Sequence, residues 1–454
     1  MFKKFTKVIA KEMDPRKDLV PVESIADNEH FRPLYLLKKK RKSKTIFHPY
    51  PYYQPTGLKL DDVLLPGQDD KSIESPLQVS RQIIITKTIT DQGDGGLRIA
   101  FDPASADLQG GASLSKAIVI KAHKKSISLQ SLEALKKERK INMDHSFIQQ
   151  LLRTDIDLHL VTEILEASEQ TVYKESTKAD GGFKATFYAT FSAKGNRESN
   201  QDIVIPEGCT LAFKTILLVI RNGAWNIAHF PRGHCLLQID QPQAKDVVSE
   251  VECRYQIFSK LSPDILFIVF NTIKVVMSDK NLLQELRQKM EDIPKQNDGY
   301  ELKTESPDLK DLFSTLQHSP RDRLHQLTGG ITYILDALHE LMDEQLWLLL
   351  QSLERKILTQ QLKLVENLLD QDLAYTRSPF HVDARLLSFP HKEEQMLTME
   401  LVELSGVQLQ EDGSAVPRDK PFESVAALFA ALYALNLLSG SKQDTLGPAQ
   451  GNPL

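Results

Sequence analysis

The chain has 454 residues, of which 41% are hydrophobic and 26% charged, and a formal net charge of −5. That length exceeds one ordinary core and points to two or three domains. The composition excludes a disordered, collagen-like or disulfide-framed chain.

The near-neutral total hides a division. Residues 1–240 hold 35 Lys+Arg against 29 Asp+Glu, a balance of +6, and residues 241–454 hold 21 against 32, a balance of −11. A basic half suits an anionic surface, and an acidic half suits covering it. No apolar stretch is expected to reach the roughly 18–20 residues that cross a membrane as a helix; the longest candidate, 265–277, is interrupted by Asn271, Thr272 and Lys274. The start lacks the apolar core and cleavage site of a secretory signal. Cys209, Cys235 and Cys253 form no CxxC pair, so a reduced cytosol is the expected compartment.

In chain order, the first element is an amphipathic helix. Phe2, Phe5, Ile9 and Met13 recur on one face, Lys4, Lys7 and Lys11 on another, and Pro15 ends it. Such a helix fits an anionic bilayer interface or packs on its own domain. A basic run follows, Lys38, Lys39, Lys40, Arg41, Lys42 and Lys44, then Thr45-Ile46-Phe47-His48-Pro49-Tyr50-Pro51-Tyr52-Tyr53. Two prolines forbid a regular helix and leave these aromatics on a loop or edge strand. There they serve single-stranded nucleic acid, a lipid interface or a docking pocket.

Residues 80–125 and 157–220 have strand character, with 82–90 and 117–121 as short strands and 129–152 as a helical stretch between the two regions. From 183 to 191, Phe183, Ala185, Phe187, Ala189 and Phe191 alternate with Lys184, Thr186, Tyr188 and Thr190. This period of two fits a bilayer-crossing barrel strand and equally a half-buried strand of a soluble sheet. After about residue 235 the pattern turns helical, over 247–277, 282–290, 309–316, 331–368, 394–404 and 424–438. A polar, Pro-containing stretch at 238–245 reads as the linker.

The chain has no P-loop, HExxH or GxSxG motif, and its 12 histidines form no defensible ligand set. No enzyme, cofactor or metal is expected.

Several blocks resemble the gasdermin family in collinear order over nearly the whole chain. They are Met1-Phe2 with the basic helix, Asp18-Leu19-Val20-Pro21-Val22-Glu23-Ser24-Ile25, and Leu60-Asp61-Asp62-Val63-Leu64-Leu65-Pro66-Gly67. Glu138-Arg139-Lys140, Asp144-His145-Ser146-Phe147, Leu158-His159-Leu160-Val161-Thr162-Glu163 and 204–214 continue the series. Tyr333-Ile334-Leu335-Asp336-Ala337-Leu338, 353–358, 361–366 and 431–434 complete it.

The resemblance implies an α+β pore-forming domain with an antiparallel twisted sheet over 1–235, a protease-sensitive linker over 236–246, and an all-α autoinhibitory domain over 247–454. It implies an intact cytoplasmic protein held closed by an intramolecular contact. After cleavage the first domain would move to the plasma membrane, bind acidic phospholipids (phosphoinositides, phosphatidylserine, cardiolipin), form a homo-oligomeric pore and cause pyroptosis. No nucleic acid is then expected as partner. Lys3, Lys4, Lys7, Lys11 and the run Lys38, Lys39, Lys40, Arg41, Lys42 and Lys44 become lipid contacts. Phe183, Phe187 and Phe191 become membrane-inserting residues, with 81–121 as the first hairpin region. Ile46 and Phe47 match the loop tucked against the inhibitory domain, and Tyr333 and Ala337 its receiving side. Asp240, Asp246 and Asp298 are candidate cleavage positions for the activating protease. The rival reading is a soluble anionic-lipid- or nucleic-acid-binding adaptor with a regulatory helical domain and no pore.

Overall fold

The computed structural model describes residues 2–14, 18–39, 45–48, 50–67, 77–90, 93–100, 116–154, 156–174, 202–221, 223–228, 243–293, 302–371, 373, 378–410, 412–418 and 421–440. They divide into two compact units.

The first unit opens with α1 (Phe2–Met13) and β1 (Val20–Pro21), then β2 (Tyr35–Lys39) and β3 (Tyr53–Lys59). β4 (Gln78–Val79), β5 (Ile83–Thr90), β6 (Gly93–Ala100) and β7 (Lys116–Ser126) follow, then α2 (Leu129–Glu138) and α3 (Ser146–Leu152). β8 (Leu158–Ala167), β9 (Thr171–Lys174), β10 (Asp202–Ile205), β11 (Thr210–Arg221) and β12 (Ala224–Ile227) complete it. Among the described residues, ten of these strands form one antiparallel sheet whose main path runs β1-β11-β8-β7-β5-β6, and β9 and β10 make a separate two-stranded ribbon.

The helix expected at the N-terminus forms, and its apolar face turns inward. Phe2, Phe5, Ile9 and Ala10 are buried against Val161, Ile164, Ala212 and Phe213 of the sheet, and Thr6 Oγ1 donates to the Val22 carbonyl at 2.7 Å. β7 continues to Ser126 rather than ending at 121 because its backbone pairs with β8 from Ala122↔Ala167 to Ser126↔Glu163. The helical stretch expected over 129–152 is interrupted at Arg139, the extended C-cap of α2, where Trp225 Nε1 donates to the Arg139 carbonyl at 2.9 Å. Gly208, with φ +77°, turns the chain from β10 into β11 while its N–H donates to the Ala167 carbonyl at 2.8 Å.

The second unit contains Ile46–His48 and the chain from 243 onward. Its helices are α4 (Ala244–Tyr255), α5 (Pro263–Ser278), α6 (Lys280–Asp292), α7 (Pro307–Gln317), α8 (Arg321–Glu340), α9 (Asp343–Arg355) and α10 (Leu358–Leu369), then α11 (Lys392–Leu404) and α12 (Phe422–Gly440). The continuous helix expected over 247–277 is two helices, because the Ser262-Pro263 step supplies a cap and an N1 proline. That expected over 331–368 spans three helices, broken after Glu340 and at Lys356, whose φ of +58° is left-handed. The unit is also not purely helical: β13 (Phe380–His381), β15 (Ser414–Pro417) and β14 (Val407–Leu409) form a small antiparallel sheet.

One expectation is corrected outright. α12 is 19 residues long and by length and hydropathy would suffice to cross a membrane. It is instead the centre of this unit, with Val425, Ala426, Leu428, Phe429, Leu432 and Leu435 all buried among the surrounding helices. Small and aromatic residues on every side, with Glu423 at its start, let it accept neighbours all round.

Candidate functional site: the seat of Phe47

Ile46–His48 lies between β2 and β3 in the chain, yet packs with the helices of the second unit. Phe47 is 1% exposed. Its ring centroid stands 5.1 Å from that of Tyr333 on α8, tilted by 59°, and Ile46 packs against the same apolar cluster. Beside Phe47, His48 Nδ1 lies 2.8 Å from Glu340 Oε1, with both side chains almost fully buried. Tyr333, Ala337 and Glu340 are spaced i, i+4 and i+7, which places them on one face of α8. The structure thus brings Ile46 and Phe47 into the same cluster as Tyr333 and Ala337 and adds His48 and Glu340.

The seat is held from behind by aromatic rings. Tyr255 of α4 meets Tyr333 edge-on at 5.4 Å, lies 6.0 Å from Tyr433 of α12, and donates its hydroxyl to the Ala430 carbonyl at 3.1 Å. The Tyr333 hydroxyl donates to Glu250 Oε1 at 2.9 Å, and the Arg254 guanidinium lies 5.7 Å from the Tyr333 ring centre. Burial first, and then Tyr255 and the Glu250 carboxylate, push the Tyr333 phenol far above its ordinary range. Burial and Asp336 do the same for Tyr255. Both therefore remain neutral, as hydrogen-bond donors and apolar walls. This is chemistry for gripping an aromatic side chain.

Gly330, one turn before Tyr333, sets how closely α8 approaches. A Cβ there would come within 3.0 Å of Ile257 and 3.1 Å of the Phe258 ring, and Phe258 in turn packs 5.8 Å from Tyr255. Gly330→Ala should therefore lower the thermal midpoint of the helical unit, with a loss of about 1–3 kcal/mol for overpacking, readable by circular dichroism.

The other expected site residues are placed as follows. Lys3 forms an ion pair with Glu23 at 3.3 Å; Lys7 and Lys11 are half-buried, and neither lacks partners. Lys4 lies on α1, and its side chain is outside the described set. Lys38 Nζ stands 5.5 Å over the Phe147 ring, and Lys39 is half-buried near His159. Asp246 caps α4, its carboxylate accepting from the Gln243 N–H at 2.7 Å. The expected linker end at 246 thus runs three residues into a helix, because Gln243 and Asp246 form a capping box. Lys40, Arg41, Lys42, Lys44, Phe183, Phe187, Phe191, Asp240 and Asp298 fall outside the described residues.

One buried polar group in the first unit was not singled out from the sequence. His159 of β8 is 8% exposed, its Nδ1 is 3.1 Å from Thr215 Oγ1, and its ring meets that of Tyr53 edge-on at 5.1 Å. Burial, then the Lys39 charge, lower its pKa from 6.5 to about 4. The unfolded chain therefore takes up a proton near pH 6.5 while the folded sheet resists until about pH 4. Stability is full above that upper value and falls as the pH drops between the two, by up to about 3 kcal/mol. His159→Gln should flatten this acid loss in urea unfolding followed by tryptophan fluorescence.

Comparison with known proteins agrees with this architecture. The gasdermin pore forming domain matches residues 1–234, and the gasdermin PUB domain matches residues 243–416. The chain belongs to the gasdermin family of pore-forming proteins. Within it, the chain is similar to members of the A type: gasdermin-A3 of Mus musculus is 31% identical, with 97% of both chains covered. Gasdermin-A of Homo sapiens is 29% identical over 97% of this chain and 99% of its own. The solved gasdermin A3 membrane pore aligns with 51% of this chain and 96% of its own at 23% identity and a TM-score of 0.32, a likeness too slight to bear on the fold.

Proposed function

We propose that this chain is an autoinhibited pore-former, opened by proteolysis in the stretch between β12 and α4. The supporting observation is the seat of Phe47: a residue carried between two strands of the sheet unit is buried in the core of the helical unit. In the intact chain that contact is intramolecular, with an effective concentration commonly in the millimolar range for a short linker. Cleavage makes it bimolecular, and dilution then favours release. The freed sheet unit would move from the cytoplasm to the plasma membrane, bind acidic phospholipids, oligomerise and insert strands from 81–121 and 183–191. The resulting leak would cause lytic cell death. Because Lys3, Lys7 and Lys11 already have partners, lipid binding by α1 requires those contacts to be exchanged for head groups. Cleavage at Asp246 would require the first turn of α4 to unwind, since a protease takes its substrate extended.

The test is dye release from phosphatidylserine-containing vesicles by the full chain carrying an engineered protease site in the linker. Release only after cutting is the expected result. Equal release before and after cutting would remove the inhibitory role, and none in either state would remove the pore.

A further inference from the structure

β2 and β3 are joined to the rest of the sheet along one line. Among the described residues, β3 pairs with β2 alone, and β2 pairs with β8 from Leu36↔Leu160 to Lys38↔Leu158. Leu36 and Leu37 are fully buried, on opposite faces of the sheet, so this arm is closed in the folded unit. The chain between its two strands carries Ile46–His48, the occupant of the seat on α8.

His159 stands at the joint. It is the β8 partner of Leu37, and the Tyr53 ring of β3 covers it edge-on at 5.1 Å. A hydrogen-bonded chain runs on into β11. Thr215 Oγ1 donates to the Tyr53 hydroxyl at 3.0 Å. His159 Nδ1, 3.1 Å from the same Oγ1, therefore carries a hydrogen and donates it. The neutral imidazole is satisfied at Nδ1, and a second proton adds charge at Nε2 without gaining an acceptor at Nδ1.

The charged groups around this joint oppose that proton. Lys39, opposite Tyr53 at the end of β2, acts on the imidazole with like charge. Burial raises the Tyr53 phenol, the Thr215 hydrogen bond lowers it and the Asp157 carboxylate raises it, so Tyr53 stays neutral. Among the described residues, the carboxylate at this joint thus acts on Tyr53, whereas the charge acting on His159 is that of Lys39.

Lifting the arm takes Leu37, Lys39 and Tyr53 away from one side of His159 and lets water reach the ring. The open state then takes up a proton near 6.5, the closed state only near 4. Above 6.5 neither state is charged and the arm stays shut. Between the two values each fall in pH favours the open state. From pH 7 to pH 5 the open population should rise about twentyfold.

We propose that β2–β3 is an acid-released arm, let go from β8 when His159 is protonated. Its regulatory role rests on the autoinhibited pore-former described above. An arm lifted from β8 no longer mounts the occupant of the seat on a rigid sheet, and the sheet unit gains freedom to meet a membrane before the linker is cut.

The experiment is hydrogen exchange of the full chain at pH 7 and pH 5, each referred to the exchange rate of an unstructured peptide at that pH. Amides of β2 and β3 should lose about twentyfold in protection with little dependence on urea, as local opening requires. His159→Gln keeps a donor toward Thr215 without titrating and should hold the protection constant. Should that variant fail to fold, Lys39→Gln removes the repelling charge and should shrink the response. Arm amides that exchange only together with the β8–β11 ladder overturn the arm, as does a folded variant of either kind with the wild-type response. Dye release from phosphatidylcholine–phosphatidylserine vesicles by the uncut chain should rise at pH 5, by up to the same factor, in the wild type and not in His159→Gln. Equal release by the two, with the arm open, overturns the regulatory role. No release by the cut wild type at either pH overturns the pore reading and leaves the exchange result to decide the arm.

Discussion

Uncut chains carrying Tyr333→Asp or Ala337→Asp should release dye from anionic vesicles as the cleaved wild type does. Ala337 is fully buried and Tyr333 only 4% exposed, so either change adds a carboxylate to an apolar seat that already holds those of Glu250 and Glu340, with Arg254, 5.7 Å from the Tyr333 ring centre, as partial compensation at position 333. An unpaired buried charge costs commonly about 3–5 kcal/mol, which weakens docking more than a hundredfold. The helical unit can relieve the cost by letting Ile46–His48 leave, since water then reaches the new carboxylate. The expected signature is leakage without cutting from a protein whose helical unit still unfolds cooperatively in urea. Silence from both folded variants would remove α8 from the inhibitory contact.

Phe47→Ala should act in the same direction from the other side of the contact. Removing a buried phenylalanine ring costs about 3–5 kcal/mol, but this ring does not come from the helical unit's own stretch of chain. The loss should therefore fall on docking and leave the urea midpoint of the helical unit near its wild-type value. Phe258→Ala, equally buried but native to that unit, should lower the midpoint directly. Hydrogen exchange of the intact Phe47 variant should quicken around Tyr333 and Glu340 more than along α12. A midpoint lowered by Phe47→Ala as much as by Phe258→Ala would make Phe47 an ordinary core residue.

The two-unit plan, the amphipathic pattern of α1 and the grouping of Ile46 and Phe47 with Tyr333 and Ala337 were legible in the sequence, through charge balance, periodicity and ordered resemblance; the inward turn of the apolar face of α1 was not, since that periodicity fits a bilayer interface equally well. Glu340 was within reach, since it continues the spacing of Tyr333 and Ala337 by three residues, but helical spacing also fits an ordinary solvated carboxylate. Only the fold brings His48 beside it. The helix breaks at 341–342 and 356–357 carry neither Gly nor Pro. They arise from a left-handed Lys356 and a short extended turn, which composition does not mark. β14 and β15, three and four residues long, are too short for period-2 alternation to stand out. His159 looks like any strand histidine until its neighbours close over it.

The position of α12 in the chain has a consequence for biosynthesis. The sheet unit's last strand ends at Ile227, whereas the helix at the centre of the other unit spans Phe422–Gly440. Ribosomes add about 5–20 residues per second, so the sheet unit emerges on the order of ten to forty seconds before that helix does. For that interval the nascent chain holds a finished sheet unit and an inhibitor without its centre. A message truncated anywhere between the two would leave that state permanent, so early stop codons in the second half of this gene should be toxic rather than merely null.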